Sequence, residues 1–179
     1  FLFSFLGMGM VFVGLVGTLL MAITDLELLG TTAEEGAVLY VVYGSAMAVM
    51  GGVAFWAPKL WGRTLPEKPV LPLVGLSLLG TVLASLPLYI AGFLDQAGGI
   101  PANATDVATI LSLDYHDSAS LWNALSMIGH ALMVVSVLAF VLLLLRACTG
   151  RGEAAADNPF DGHTIEWSTS SPAPADNFE

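Results

Sequence analysis

The chain has almost nothing that could form covalent or metal cross-links, and very little positive charge. It contains one cysteine in 179 residues, so an intrachain disulfide and any multi-cysteine metal site are ruled out. That residue, Cys148, reads as a plain residue at the end of an apolar run, with reversible acylation as the alternative. Lys and Arg number 5 against 15 Asp and Glu, giving a net charge of −10. Nucleic acid is a poor fit as a partner, because binding phosphates needs clustered cations. Charged residues make up only 11% of the chain, 56% of it is hydrophobic, and mean hydropathy is +0.79. Soluble domains sit near about 45–50% apolar and 25% charged, so a water-soluble core protein does not fit either. No internal repeat is evident, which leaves an inverted-repeat transporter without support. Phe1 opens inside an apolar run with no basic stretch before it. This does not read as a signal peptide, and the expectation is a longer polypeptide cut or split at this point.

Four long apolar runs are present. They predict membrane-spanning helices over roughly 1–23, 36–57, 70–94 and 121–146, each near the 20 or so residues needed to cross hydrocarbon. The basic residues are partitioned among the connections. Lys59, Arg63 and Lys68 lie between the second and third runs, and Arg146 and Arg151 follow the fourth. The other two connections carry Asp25, Glu27, Glu34, Glu35, Asp95, Asp106, Asp114 and Asp117 and no Lys or Arg. Lys and Arg in short loops mark the cytoplasmic side. The expected fold is therefore all-α and integral to the membrane, with four helices in an up-down arrangement and both termini cytoplasmic. The expected division is a transmembrane region over 1–147 and an irregular cytoplasmic tail over 148–179.

Local signals refine this outline. Gly7, Gly9, Gly14 and Gly17 in the first run allow close helix contact, and Gly44, Ala48 and Gly52 predict a small-residue seam on the second. Pro58 is expected to end the second helix by removing a backbone donor, and Pro87 to kink the third. Trp56 and Trp61 suit the headgroup level. The QAGGIPANAT stretch reads as coil, and its Asn103 matches a glycosylation sequon.

Two stretches, one with Phe55, Trp56, Pro58, Lys59, Gly62, Arg63, Leu65 and Glu67, the other with Glu166–Trp167, Thr169–Ser170, Pro172 and Pro174, resemble subunit I of the heme–copper oxidase superfamily. In Tyr40 to Lys68, the residues Phe55, Trp56, Pro58, Lys59, Gly62, Arg63, Leu65 and Glu67 follow the family's aromatic–Pro–Lys–x–x–Gly–Arg turn and the Leu–x–Glu element after it. The tail from Asn158 to Phe178 carries Asn158–Pro159–Phe160, Ile165–Glu166–Trp167, Thr169–Ser170, Pro172, Pro174 and Asn177–Phe178 in the order of the family's C-terminal signature. The opening FLFSFLGMGMVFVGLVG, Leu86–Pro87–Leu88 with Gly92, and Asn123, Ser126, Ile128 and Gly129 also fit. The resemblance implies the last four of twelve helices plus the tail. It further implies heme and copper in the complete oxidase, which reduces dioxygen with electrons from cytochrome c or quinol, in the plasma membrane of a prokaryote. The implied partners are the remaining helices of subunit I, other oxidase subunits and the lipid bilayer.

Departures from the family pattern bear on chemistry. The resemblance places the family's heme-ligand positions, a His–x–His pair, at Ala37 and Leu39, and neither side chain can ligate iron. The arginine pair that holds heme propionates corresponds to Gly98 and Gly99, and an acidic magnesium-site residue to Gly30. The expectation is a segment with no cofactor, catalytic residue or metal site of its own, acting as scaffold. A non-catalytic structural relative is the alternative. A small transporter built on His130 is a further one.

His130 is the one ionisable residue deep within a predicted span, and such groups are functional candidates. The first reading is a neutral imidazole hydrogen-bonded to a neighbouring helix. A proton path or an iron ligand are the sharper alternatives. Glu34 and Glu35 read as dipole partners at a helix start, against a cation site formed with Asp25 and Glu27. Asp114, His116 and Asp117, in the run D-Y-H-D, read as solvated, against a metal site in that loop; His163 reads as solvated, and the methionines read as packing.

Overall fold

The computed structural model describes residues 1–23, 26–98 and 117–175. Asp25, Gly99, Asn103, Asp106, Asp114, His116 and Asn177–Phe178, all named above, lie outside the described residues. Four helices dominate: α1 (Leu2–Leu20), α2 (Thr32–Trp61), α3 (Glu67–Phe93) and α4 (Ala119–Cys148). All four are long and apolar enough to cross a membrane. At 1.5 Å per residue, the 30 residues of α2 and of α4 reach about 45 Å, beyond a hydrocarbon core of about 30 Å.

Each helix packs chiefly on the next in sequence, α1 on α2, α2 on α3 and α3 on α4, while α2 meets α4 over only a few residues. Beside large apolar residues such as Met47 and Phe140, the buried positions include several small polar ones. Ser77, Thr81, Ser85 and Ser136 are fully buried, whereas Met127, Val134, Leu138 and Leu142 are exposed. Lipid is as apolar as leucine, so burying large side chains gains little there. Close backbone contact and interhelical hydrogen bonds take over. A Cβ on Gly44 would lie 2.7 Å from the Gly7 carbonyl oxygen, so only glycine lets α1 come this near. Ser77 and Ser136 hydroxyls hydrogen-bond across α3 and α4 at 2.6 Å, and Ser126 donates to the Ala84 carbonyl at 2.7 Å.

Three expectations are corrected here. The α2 seam runs through Gly44, Ala48 and Gly51; a Cβ on Gly52 would meet nothing. Pro58 does not end α2. It sits in the last turn, where the loss of one N–H is tolerated, and its own carbonyl accepts from Gly62 at 2.8 Å. Gly62 ends the helix with φ 64, a left-handed conformation that glycine adopts without strain. The tail is not wholly irregular. A two-residue strand, β2 (Glu153–Ala154), pairs antiparallel with β1 (Arg63–Thr64), and Ile165–Ser168 forms a 3₁₀ turn.

The two ends of the bundle differ in charge. Phe3 packs with Phe140 and lies beside Gly51, so the start of α1 lies at the same end as the close of α2, the close of α4 and the tail. Every basic residue of the chain falls on segments at that end. The opposite end holds Glu27, Glu34, Glu35, Asp95 and Asp117. There Thr31 caps α2 by accepting from the Ala33 N–H, and Thr32 N–H donates to the Gln96 carbonyl at 3.0 Å. Gly98 N–H donates to the Gly30 carbonyl at 2.8 Å. These bonds stitch the α2 start to the α3 close.

Candidate functional site

His130 faces α2, where Tyr43 meets it. The Tyr43 hydroxyl lies 2.5 Å from His130 Nδ1, and the rings pack edge to face at 5.6 Å. His130 stands 11 residues into α4, about 16 Å along its axis, so the pair sits at membrane depth. Both residues are half-buried. The hydrogen-bonded imidazole of the first reading is present, and its partner helix is α2.

The positions assigned to the family's heme ligands point different ways. Residues two apart on a helix are turned about 200° from each other. Ala37 is buried against α1 and clusters with Tyr40 and Tyr89. A Cβ on Gly14 would lie 2.8 Å from the Ala37 carbonyl oxygen, so α1 closes that side. Leu39 is half-exposed, one turn from Tyr43. The chain's histidines are His116, His130 and His163, and none is on α2. The residues present therefore do not fit an axial heme site on α2. Among the described residues, Ser85 Oγ, Tyr89 OH and Gln96 Oε1 are buried without a hydrogen-bond partner. Gly30 has φ 79 and its N–H donates to Glu34 Oε1 at 2.9 Å, so Glu34 closes the turn before α2, as an acidic first-turn residue should. Glu35 is exposed beside it. Among the described residues no group of three His, Cys, Asp or Glu could hold a metal. His163 and Cys148 are exposed.

The sequence reading did not anticipate the role of Lys59. It is buried, and Nζ donates to the carbonyls of Asp157 at 2.9 Å, Thr169 at 2.7 Å and Ser170 at 3.3 Å. The ammonium also lies 5.3 Å from the Trp167 ring centroid. Its partners are peptide carbonyls, the Thr169 hydroxyl at 3.5 Å and a π face. Trp167 packs on Phe55, Trp56 and Phe160, with the Phe55 and Phe160 rings stacked at 5.2 Å. Ala173 N–H donates to the Lys59 carbonyl at 3.0 Å, and Asp157 Oδ1 accepts from Ser171 N–H. Thr164 hydrogen-bonds the Glu166 carboxylate and holds its carboxyl below the usual range. The available signal was the aromatic–Pro–Lys turn and the Glu–Trp–x–Thr–Ser element, read as two motifs with no link between them.

Four membrane-length helices, glycine-mediated contacts and a charge-segregated bundle define a multi-pass helical membrane protein. Comparison with known proteins narrows this. No family model matches the chain. Cytochrome c oxidase subunit 1 of Synechocystis sp. is 30% identical over 100% of this chain and 30% of its own length. Cytochrome c oxidase subunit 1 of Thermostichus vulcanus is 30% identical over 78% of this chain and 23% of its own length. Cytochrome bo(3) ubiquinol oxidase subunit 1 of Buchnera aphidicola subsp. Schizaphis graminum is 28% identical over 77% and 20% respectively. The chain is a relative of subunit I of the heme–copper oxidases. It spans less than a third of the length of these relatives.

Proposed function

We propose that this chain is the four-helix scaffold segment of a subunit I-like polypeptide in a respiratory terminal oxidase that reduces dioxygen to water. It carries no redox group of its own. Heme and copper belong to the complete oxidase, and this segment packs against the remaining helices and other subunits. The single observation behind the scaffold role is the state of α2: it has no histidine, and its Ala37 side is filled by α1. The charge partition supports cytoplasmic termini in the plasma membrane of a prokaryote, because all five Lys and Arg lie at the end that holds the start of α1 and the tail.

The purified chain in detergent is expected to show no low-spin heme band in a reduced-minus-oxidised spectrum, and no stoichiometric iron. A one-to-one bis-histidine spectrum would overturn the scaffold reading.

A further inference from the structure

The Tyr43–His130 pair leaves one nitrogen unaccounted for. Among the described residues, neither Tyr43 OH nor His130 has a hydrogen-bond partner beyond the other. A neutral imidazole carries one N–H and one lone pair. If Nδ1 held the hydrogen and donated to Tyr43, the tyrosine O–H would have no acceptor. If Tyr43 donates to Nδ1, both of its groups are satisfied and the imidazole hydrogen sits on Nε2. A protonated ring would also carry a hydrogen on Nε2. Every economical arrangement therefore places an N–H donor on Nε2.

That donor sits deep in the span, where no water is available to take it, and an unmet polar group costs far more in hydrocarbon than at a surface. The rungs beside His130 on α4, Met127 and Val134, are 67% and 54% exposed. α2 and α4 each pack chiefly on α3 and meet each other over few residues, so beside the Tyr43–His130 contact the exposed Met127 and Val134 face of α4 is left without a helix of this chain over it.

We infer that this face receives a further membrane-spanning helix bearing a hydrogen-bond acceptor at the depth of His130. A side-chain amide, hydroxyl or carboxylate would serve. The inference rests on the oxidase reading only for the origin of that helix: the relatives' own length leaves more than two thirds of a subunit I polypeptide to supply it. A second copy of this chain offers there the same Nε2 donor and only the oxygen of Tyr43, already engaged with its own His130, as an acceptor, which disfavours self-association there.

The test uses the protein in its native membrane. A photo-crosslinking amino acid at Met127, and separately at Val134, is expected to join the chain to a transmembrane peptide carrying an Asn, Gln, Ser, Thr, Asp or Glu at matching depth. Interhelical bonds in lipid are modest, so His130→Leu should lower that product about threefold to tenfold. His130→Gln, which keeps a donor, should restore most of it, and nitrogen-15 spectra should show the Nε2–H form. Crosslinks to lipid alone, to a second copy, or a bare Nε2 would overturn the inference. Crosslinks to a helix of an unrelated protein would uphold the docking face and sink the oxidase reading, so the two failures are distinguishable. Tyr43→Phe guards against misfolding: it should keep the crosslink while shifting the imidazole resonances.

Discussion

Replacing Lys59 with methionine keeps the apolar stem and deletes the ammonium. The two shortest bonds, 2.7 and 2.9 Å to Thr169 and Asp157 carbonyls, are charge-assisted and each contributes about 1.5–3 kcal/mol net. The Trp167 face adds about 1 kcal/mol. Against this stands the cost of taking an ammonium out of water, several kcal/mol, which methionine no longer incurs. The net loss is on the order of 2–4 kcal/mol, with the orphaned carbonyls on the losing side. The affected process is tail docking, because the helices hold one another through α1–α2, α2–α3 and α3–α4 contacts. The open-tail population should rise roughly 30-fold to 1,000-fold. A glutamate-specific protease reads this directly. Docking covers Trp167, which is 3% exposed, and so shields the Glu166–Trp167 bond. If opening is fast relative to cleavage, the rate follows the open population. Lys59→Met should therefore speed cleavage at Glu166 by the same factor while far-ultraviolet helicity stays constant. A rate within twofold of the parent would refute the clasp.

Two further outcomes follow from helix packing. Gly44→Val drives a side chain into the Gly7 backbone of α1 and should cost about 1–3 kcal/mol or more, read as a lower unfolding midpoint in detergent; an unchanged midpoint would mean that α1 is not held at that distance. Ser136→Ala removes hydrogen bonds to Ser77 and to the Leu73 carbonyl. It should cost only about 0.6–1.7 kcal/mol, the range for interhelical bonds in lipid, and a loss above 3 kcal/mol would show that the Ser77–Ser136 contact has been undervalued.

The spans were legible because an apolar run of membrane length has few other uses. Their ends were less so. Pro58 reads as a stop under the rule for helix interiors, yet in a last turn it forfeits one bond and Gly62 closes the helix four residues later. The seam slipped for a geometric reason. A step of four overshoots the helical repeat, so after Gly44 and Ala48 the contact face returns at Gly51, seven residues on, and Gly52 has rotated away. Tyr43 was not recognisable as the partner of His130, since the pairing depends on the register between two helices that a single sequence does not carry. The tail reads as coil by composition, because its order comes from partners far away in sequence: the buried Lys59 ammonium, the Phe55–Trp56 rings and the Arg63–Thr64 strand.

That separation has a temporal side. Lys59 and Thr169 are 110 positions apart, so at roughly 5–20 residues per second the lysine leaves the ribosome about 5–20 s before its carbonyl partners exist. During that interval its ammonium must stay hydrated among lipid headgroups, and the α2–α3 corner has no cover. The clasp closes only after α4 has been made and threaded. The tail thus reports that the preceding helices have all arrived, and a ribosome that stalled before residue 157 would leave a bundle with an unsealed corner and an exposed tryptophan–phenylalanine edge.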